Sequence, residues 1–149
     1  SLSIWRLVEG TRAADVGSGG GFPGIPLAIA LGACRWTLIE RNARKARFLR
    51  EVQRRLGLDN VEVLEGDVME VAATQFDTVV ARAYAPAEIA LKAGARLCRP
   101  GGVMLLMAGR PGSLPEHPGF GQADSLEVWV PILNRAHGVH RFRKSPSEG

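Results

Sequence analysis

The 149-residue sequence predicts an α/β protein built on a mostly parallel sheet and closed by a C-terminal antiparallel hairpin. Three observations carry that reading. Short apolar runs alternate with helix-length segments, as parallel strands joined by right-handed crossovers require. A glycine-rich turn follows the first of those runs, where a strand would hand the chain to a helix. After residue 108 the alternation stops, and two further apolar runs follow with no helix between them.

Residues 12–16 (RAADV) are short, apolar and closed by glycine, the pattern of a buried strand. Gly24 to Leu31 is apolar enough for a buried helix, with Pro26 tolerable in its first turn. Residues 35–40 (RWTLIE) form a second strand. In 42–56, Ala46, Leu49, Val52 and Leu56 recur at helical spacing, with Asn42 as N-cap and Gly57 as the stop. Val61, Val63 and Leu64 mark a third strand, and 76–81 (FDTVVA) a fourth. Pro86 to Leu97 is a helix, 99–102 (RPGG) a turn, and 103–107 (VMLLM) a fifth strand buried on both faces. Residues 109–121 hold four glycines and three prolines, which predicts a loop or mobile lid. Then 126–132 and 137–143 predict two antiparallel strands. The plan is five strand–helix units and a terminal hairpin, in one domain spanning 1–149 with a disordered tail at 144–149.

Composition narrows the function classes. The chain is 46% hydrophobic and 23% charged, the balance of a soluble globular domain able to bury its own core. Cys34 and Cys98 match no zinc or redox spacing, so neither a disulfide framework nor a metal site is expected, and a cytoplasmic setting fits. No apolar run reaches membrane-spanning length, and nothing reads as a secretory signal. The net charge of +4 permits a nucleic-acid partner without requiring one. Its placement says more. Residues 41–55 carry seven basic side chains against one acid, Glu51, which leaves the remainder of the chain at −2.

The most informative segment is Asp15-Val-Gly-Ser-Gly-Gly-Gly21. A glycine-rich turn between strand and helix lets a ligand approach the backbone and aims helix N-terminal amides at it. Gly19, Gly21 and Gly24 fit the dinucleotide pattern. Asp15, Gly17, Gly19 and Gly21 fit the pattern of S-adenosylmethionine sites, and that match begins at the strand end and accounts for the acid. An acid is a poor neighbour for a pyrophosphate but suits the cationic amino-acid half of S-adenosylmethionine, directly or through water. Glu40, ending the second strand, is placed to accept both hydroxyls of a ribose. Asp67, after the third, can accept from an exocyclic amine such as adenine N6 or serve as an ordinary turn Asp.

After the fourth strand, Arg82-Ala-Tyr84-Ala-Pro86 occupies the position where substrate meets cofactor in an open α/β sheet. The Asn/Asp-Pro-Pro-aromatic tetrapeptide of amino-methylating enzymes is absent there, and neither cysteine follows a proline on a strand-end loop. Arg82 can fork onto a carboxylate or phosphate, or pair structurally with Asp77 or Glu88. Tyr84 can stack on a base or pack in the core.

Extended through Phe22-Pro-Gly-Ile-Pro-Leu-Ala-Ile29, the glycine turn resembles that of the RsmG (glucose-inhibited division protein B) family, 16S ribosomal RNA methyltransferases acting on guanine N7. Arg44-Lys45-Ala-Arg-Phe-Leu49 and Arg82-Ala-Tyr-Ala-Pro86 are similar to family motifs at matching spacing, and the likeness runs from about residue 13 to 109. It implies a Rossmann-like class I methyltransferase fold with seven strands, and S-adenosylmethionine near Gly17, Phe22, Glu40, Val68, Met69 and Arg82. Three features depart from the family. The chain has 11 residues before the first strand where members carry roughly 60. It has Asp67-Val-Met69 where they show Arg-x-Glu, and Ala108-Gly109 where they show Lys-Gly.

The resemblance implies a chemistry that fits the residues. Guanine N7 attacks through a lone pair and carries no proton, so alignment matters more than a general base. Arg82 and Tyr84 are then the candidate catalytic residues, Arg82 orienting the methionine carboxylate or a substrate phosphate and Tyr84 stacking on or shielding the reacting face. Ribosomal RNA or the 30S subunit is the implied partner, and helix 41–55 can contact RNA or be a solvated face. The tail's Arg135, His137, His140, Arg141, Arg143 and Lys144 carry the same two readings. A monomer is expected. The competing readings are a methyltransferase for a small molecule or protein, a non-catalytic RNA-binding module, and an NAD-binding domain.

Overall fold

The computed structural model describes residues 2–17, 24–71, 76–82, 87–108, 116–121, 123–130 and 135–146. After a 3-10 turn at Leu2–Leu7, the chain runs β1 (Arg12–Val16), α1 (Gly24–Ala30), β2 (Arg35–Glu40), α2 (Ala43–Arg55), β3 (Val61–Glu65), β4 (Phe76–Arg82), α3 (Ala87–Leu97), β5 (Cys98–Ala108), β6 (Asp124–Val130) and β7 (Arg135–Arg143). The strands form one seven-stranded sheet in the order β3-β2-β1-β4-β5-β7-β6. β1 to β5 pair in parallel, while β7 runs antiparallel to both β5 and β6. The order reverses between β1 and β4, the switch point at which open α/β sheets bind ligands.

Both faces of the sheet are covered. On one, Trp36, Leu38, Val80 and Leu105 pack with Ile25 and Leu27 of α1 and Leu49 of α2. On the other, Val16, Ile39, Val79 and Leu106 pack with Ala90, Leu91 and Leu97 of α3. That two-sided burial is why the central strands read as unbroken apolar runs. On α2, Asn42 caps the helix by accepting the Lys45 amide at 3.0 Å, and only Ala46 and Leu49 of the helix are fully buried.

Four expectations need correction. The turn at 99–102 lies within β5, whose register with β4 jumps from Phe76↔Cys98 to Thr78↔Val103. Four residues there oppose one, and Gly101 takes the kink at φ +78°. The passage from β3 to β4 contains no helix among the described residues, so the plan of five strand–helix units is reduced to three helices. The hairpin strands start earlier than expected, at 124 and 135, because pairing extends Asp124↔Arg141 through Val130↔Arg135.

The fourth correction concerns the loop at 109–121 and the tail. Phe120 is buried, packs on Phe142 at 5.8 Å between ring centres, and bridges to Lys144. The Lys144 amide donates to Gly102, the Ser145 amide to Gly119, and Lys144 Nζ to the Ala95 carbonyl. The end of the expected lid and the start of the expected disordered tail therefore hold each other against the core.

Candidate functional site

Two backbone hydrogen bonds level the carboxyl ends of β1, β2 and β3. The Gly17 amide donates to the Ile39 carbonyl at 2.9 Å, and the Gly66 amide to the Glu40 carbonyl at 3.0 Å. A cleft of about 950 Å³ opens beyond these ends, within the range of small-molecule and cofactor sites. Gly17 and Gly66 contribute bare backbone to it. Arg41, Asn42 and Lys45, at the start of α2, line one wall, while Val68, Met69 and Ile89 line the other. Gly17 has φ +70°, a conformation that a side chain would strain, where the chain leaves β1.

Glu40 lines the cleft although the residue is only 6% exposed, and Oε1 accepts the Asn42 amide at 3.2 Å. A carboxylate so held is pre-oriented toward a hydroxyl-bearing ligand. Asp67 is half-buried, and its Oδ1 accepts the Met69 amide at 2.9 Å while its carbonyl accepts from Glu70 and Val71. It therefore caps the turn that presents Val68 and Met69, and it also lines the cleft itself. Arg96 of α3 fixes the same turn from behind, donating from Nη1 to the Val68 carbonyl at 3.0 Å.

Asp15 occupies a different environment. It is fully buried and lies off the cleft wall, and Oδ2 accepts the amide of Gly24, the first residue of α1, at 2.9 Å. A Cβ on Gly24 would stand 2.6 Å from that oxygen and 2.5 Å from Leu38 Cδ2, so glycine is what lets α1 dock against the strands. The carboxylate thus ties together the two ends of the glycine turn.

Arg82 ends β4, exposed, and no ion pair holds it among the described residues. Asp77, one of the two acids offered as its structural partner, instead pairs with Arg99 and accepts the Thr11 and Arg12 amides. Gly19, Gly21, Phe22 and Tyr84 lie outside the described residues. Cys34 and Cys98 are free and buried, and burial pushes both thiols up to about 11, so neither supplies a thiolate near neutral pH.

Arg41, Asn42, Lys45, Gly66 and Ile89 join the cleft without having been named as cofactor contacts from the sequence. Ile89 had a legible signal. It stands off the stripe formed by Ala90, Leu91, Ala93, Gly94 and Leu97 and is 49% exposed.

The family model for rRNA small subunit methyltransferase G matches residues 1–113. Among curated relatives, the ribosomal RNA small subunit methyltransferase G of Nitrosococcus oceani is 45% identical over 111 residues, covering 74% of this chain and 52% of that protein. Its counterpart in Methylococcus capsulatus is 43% identical over 144 residues, covering 96% of this chain and 64% of that protein. The chain thus spans about half the length of the first of these relatives, and under two thirds of the second. A solved S-adenosylmethionine-dependent methyltransferase from Aquifex aeolicus superposes with TM-score 0.72 at 18% identity, covering 96% of this chain and 87% of that one. That likeness is one of fold.

Proposed function

The chain belongs to the rRNA small subunit methyltransferase G family, and from that membership we propose that it binds S-adenosylmethionine in the cleft and methylates guanine N7 of 16S ribosomal RNA. The observation that carries the reading is the cleft itself, with bare backbone at Gly17 and Gly66, a buried acid at Glu40 and an apolar wall. This donor set suits a nucleoside, needing an acceptor for two hydroxyls and a flat apolar slot for a base. When bound, S-adenosylmethionine supplies an electrophilic methyl group on a sulfonium.

The chain's own residues then divide the work. Glu40 accepts the ribose hydroxyls, and Val68, Met69 and Ile89 form the slot for the adenine. The turn capped by Asp67 sets the position of that slot. Asp15 acts as a positioning residue that holds α1 to the glycine turn of Gly17, Gly19, Gly21 and Phe22. Arg82 lies at the end of β4, the substrate side of the switch point, and orients a carboxylate or phosphate there. Tyr84, two residues on, stacks on or shields the accepting base. No residue needs to remove a proton, because N7 presents a lone pair. The reading places the protein in the cytoplasm as a monomer; among the described residues no helix is long and apolar enough to cross a membrane.

A second reading, methylation of a small molecule or protein, draws on the acid at Asp67 and on Ala108 standing where family members show lysine. One experiment separates the two. The protein is incubated with methyl-labelled S-adenosylmethionine and, in parallel, 30S subunits, naked 16S RNA and a metabolite extract. Label in RNA that leaves the chain with its base when reduction and aniline cleave the strand at 7-methylguanine supports the proposal; label confined to the extract overturns it.

A further inference from the structure

The basic charge of α2 is not spread evenly once partners are assigned. In the second half of the helix, Glu51 pairs with both Arg54 and Arg55, and Arg50 faces Glu65 at 3.6 Å. Arg41, one residue before the cap, and Arg44, Lys45 and Arg47 of the first half are exposed and make no ion pair among the described residues. Between them stands Phe48, 52% exposed. Arg44 and Lys45 precede it by four and three residues, so both flank the ring on the same helical face. Arg41 and Lys45 also line the cleft, which makes this surface continuous with the candidate site.

The exposed Phe48 ring shares its helical face with cations that have no ion pair among the described residues, and it has little to do for the fold, since α2 docks through Ala46 and Leu49. Cations at the rim of an aromatic face are the chemistry that single-stranded nucleic acid requires: phosphates neutralised by arginine and lysine, and a base stacked on the ring. A duplex offers phosphates but no free base face. We propose that the first half of α2, together with Arg41 just before it, anchors a single-stranded stretch of RNA beside the cleft, with phosphates on Arg41, Arg44, Lys45 and Arg47 and an unpaired base on Phe48. The proposal rests on the reading that RNA is the methyl acceptor, and adds to it where the strand is gripped and in what form.

The test measures binding of a fluorescent single-stranded oligoribonucleotide and of a matched duplex to the whole chain by anisotropy across a salt series, with melting curves to verify each variant's fold. Arg44→Gln with Arg47→Gln is compared with Arg54→Gln plus Arg55→Gln, two doubles that remove equal charge. The first should weaken single-strand binding about tenfold and flatten the logarithmic salt slope by about 1.4, roughly 0.7 per phosphate contact. The second should change affinity by less than about twofold. Phe48→Leu should cost about tenfold on the single strand and spare the duplex, and Phe48→Trp should restore binding. Equal losses from the two doubles, or unchanged binding by Phe48→Leu, would overturn the proposal. So would parental binding to anionic lipid vesicles without binding to RNA. If the parent methylates RNA but these variants behave like it, the anchor fails and the function stands. If the variants lose RNA affinity while the parent methylates no RNA, the anchor stands and the function fails.

Discussion

The two ends of the sheet use carboxylates in opposite ways. At the amino end, Asp77 accepts the Thr11 and Arg12 amides at 2.9 and 3.0 Å and pairs with Arg99. Beside it, Glu9 takes both terminal nitrogens of Arg143 at 2.8 Å, and the Glu9 backbone exchanges two hydrogen bonds with Thr78. These contacts stitch the segment before β1 to β4, β5 and β7, which the sheet's hydrogen bonds alone leave open there. At the carboxyl end, Glu40 faces a cleft, and Asp67 braces a turn that forms one wall of it. One end spends its charges on holding the fold, and the other keeps them where a ligand can meet them. In a parallel sheet this asymmetry follows from the connections: the switch point opens a crevice only beyond the carboxyl ends.

The comparison can be broken by crossing the effects. The largest change is expected from Gly24→Val, which forces side-chain atoms against Leu38 and Asp15 and should cost more than about 3 kcal/mol of stability with loss of cofactor binding. Chemical denaturation measures it, and a variant as stable as the parent would remove Gly24 and Asp15 from the account. Next, Glu40→Ala should weaken S-adenosylmethionine binding about 100-fold, near 2.7 kcal/mol, as seen by calorimetry, an effect larger than its cost to the stability of the free protein. Asp77→Ala should do the reverse, costing about 2 kcal/mol or some 6 °C while leaving cofactor affinity intact. If Asp77→Ala weakened the cofactor as much as Glu40→Ala, the division between the two ends would collapse.

A smaller effect sharpens the carboxyl end. Arg96→Met removes the donor to the Val68 carbonyl while keeping the apolar stem, and should weaken cofactor binding about fivefold, with less than about 1 kcal/mol lost from stability. The smallest prediction is a two-step acid profile. Burial depresses His140 below its ordinary value, so the unfolded chain binds that proton more readily, and stability present above about pH 6.5 declines as pH falls through it. The Arg143 hydrogen bond, opposed by burial, holds Glu9 below its usual range; at Asp77 burial pushes up but Arg99 and two amides prevail. Both therefore add stability above about pH 4 that is lost below it. Melting temperatures from pH 8 to 3 would show the two steps, and His140→Gln should erase the upper one.

Much of this was legible before any coordinates. Strand bounds at 12–16 and 35–40 match the observed elements, because central parallel strands must be apolar on both faces and end at glycine or a charged turn. Asn42 and Leu49 announced α2 through capping chemistry and periodicity, both local properties. The turn at 99–102 misled because Pro and Gly mark a change of direction without saying whether pairing resumes across it. The pairing of Phe120 with Lys144 was illegible for a related reason: the contact joins residues far apart in sequence, and neither carries a periodic signal.

The sequence by itself determined the family, the alternation of strands and helices, and the bounds of β1 and β2, since these depend on local backbone chemistry and on spacing along the chain. The tertiary structure decided what each charge does. Asp15, Glu40, Asp67 and Asp77 look alike as strand-end acids in the sequence. Register and the switch point alone bury Asp15 against Gly24, turn Glu40 toward the cleft, set Asp67 to brace its wall, and lock Asp77 beneath Arg99. The same holds for α2, where Glu51 and Glu65 neutralise one half and leave the other exposed around Phe48. The physical reason is common to both cases: a carboxylate's role is set by which donors the fold brings within hydrogen-bond range, and those donors come from other elements.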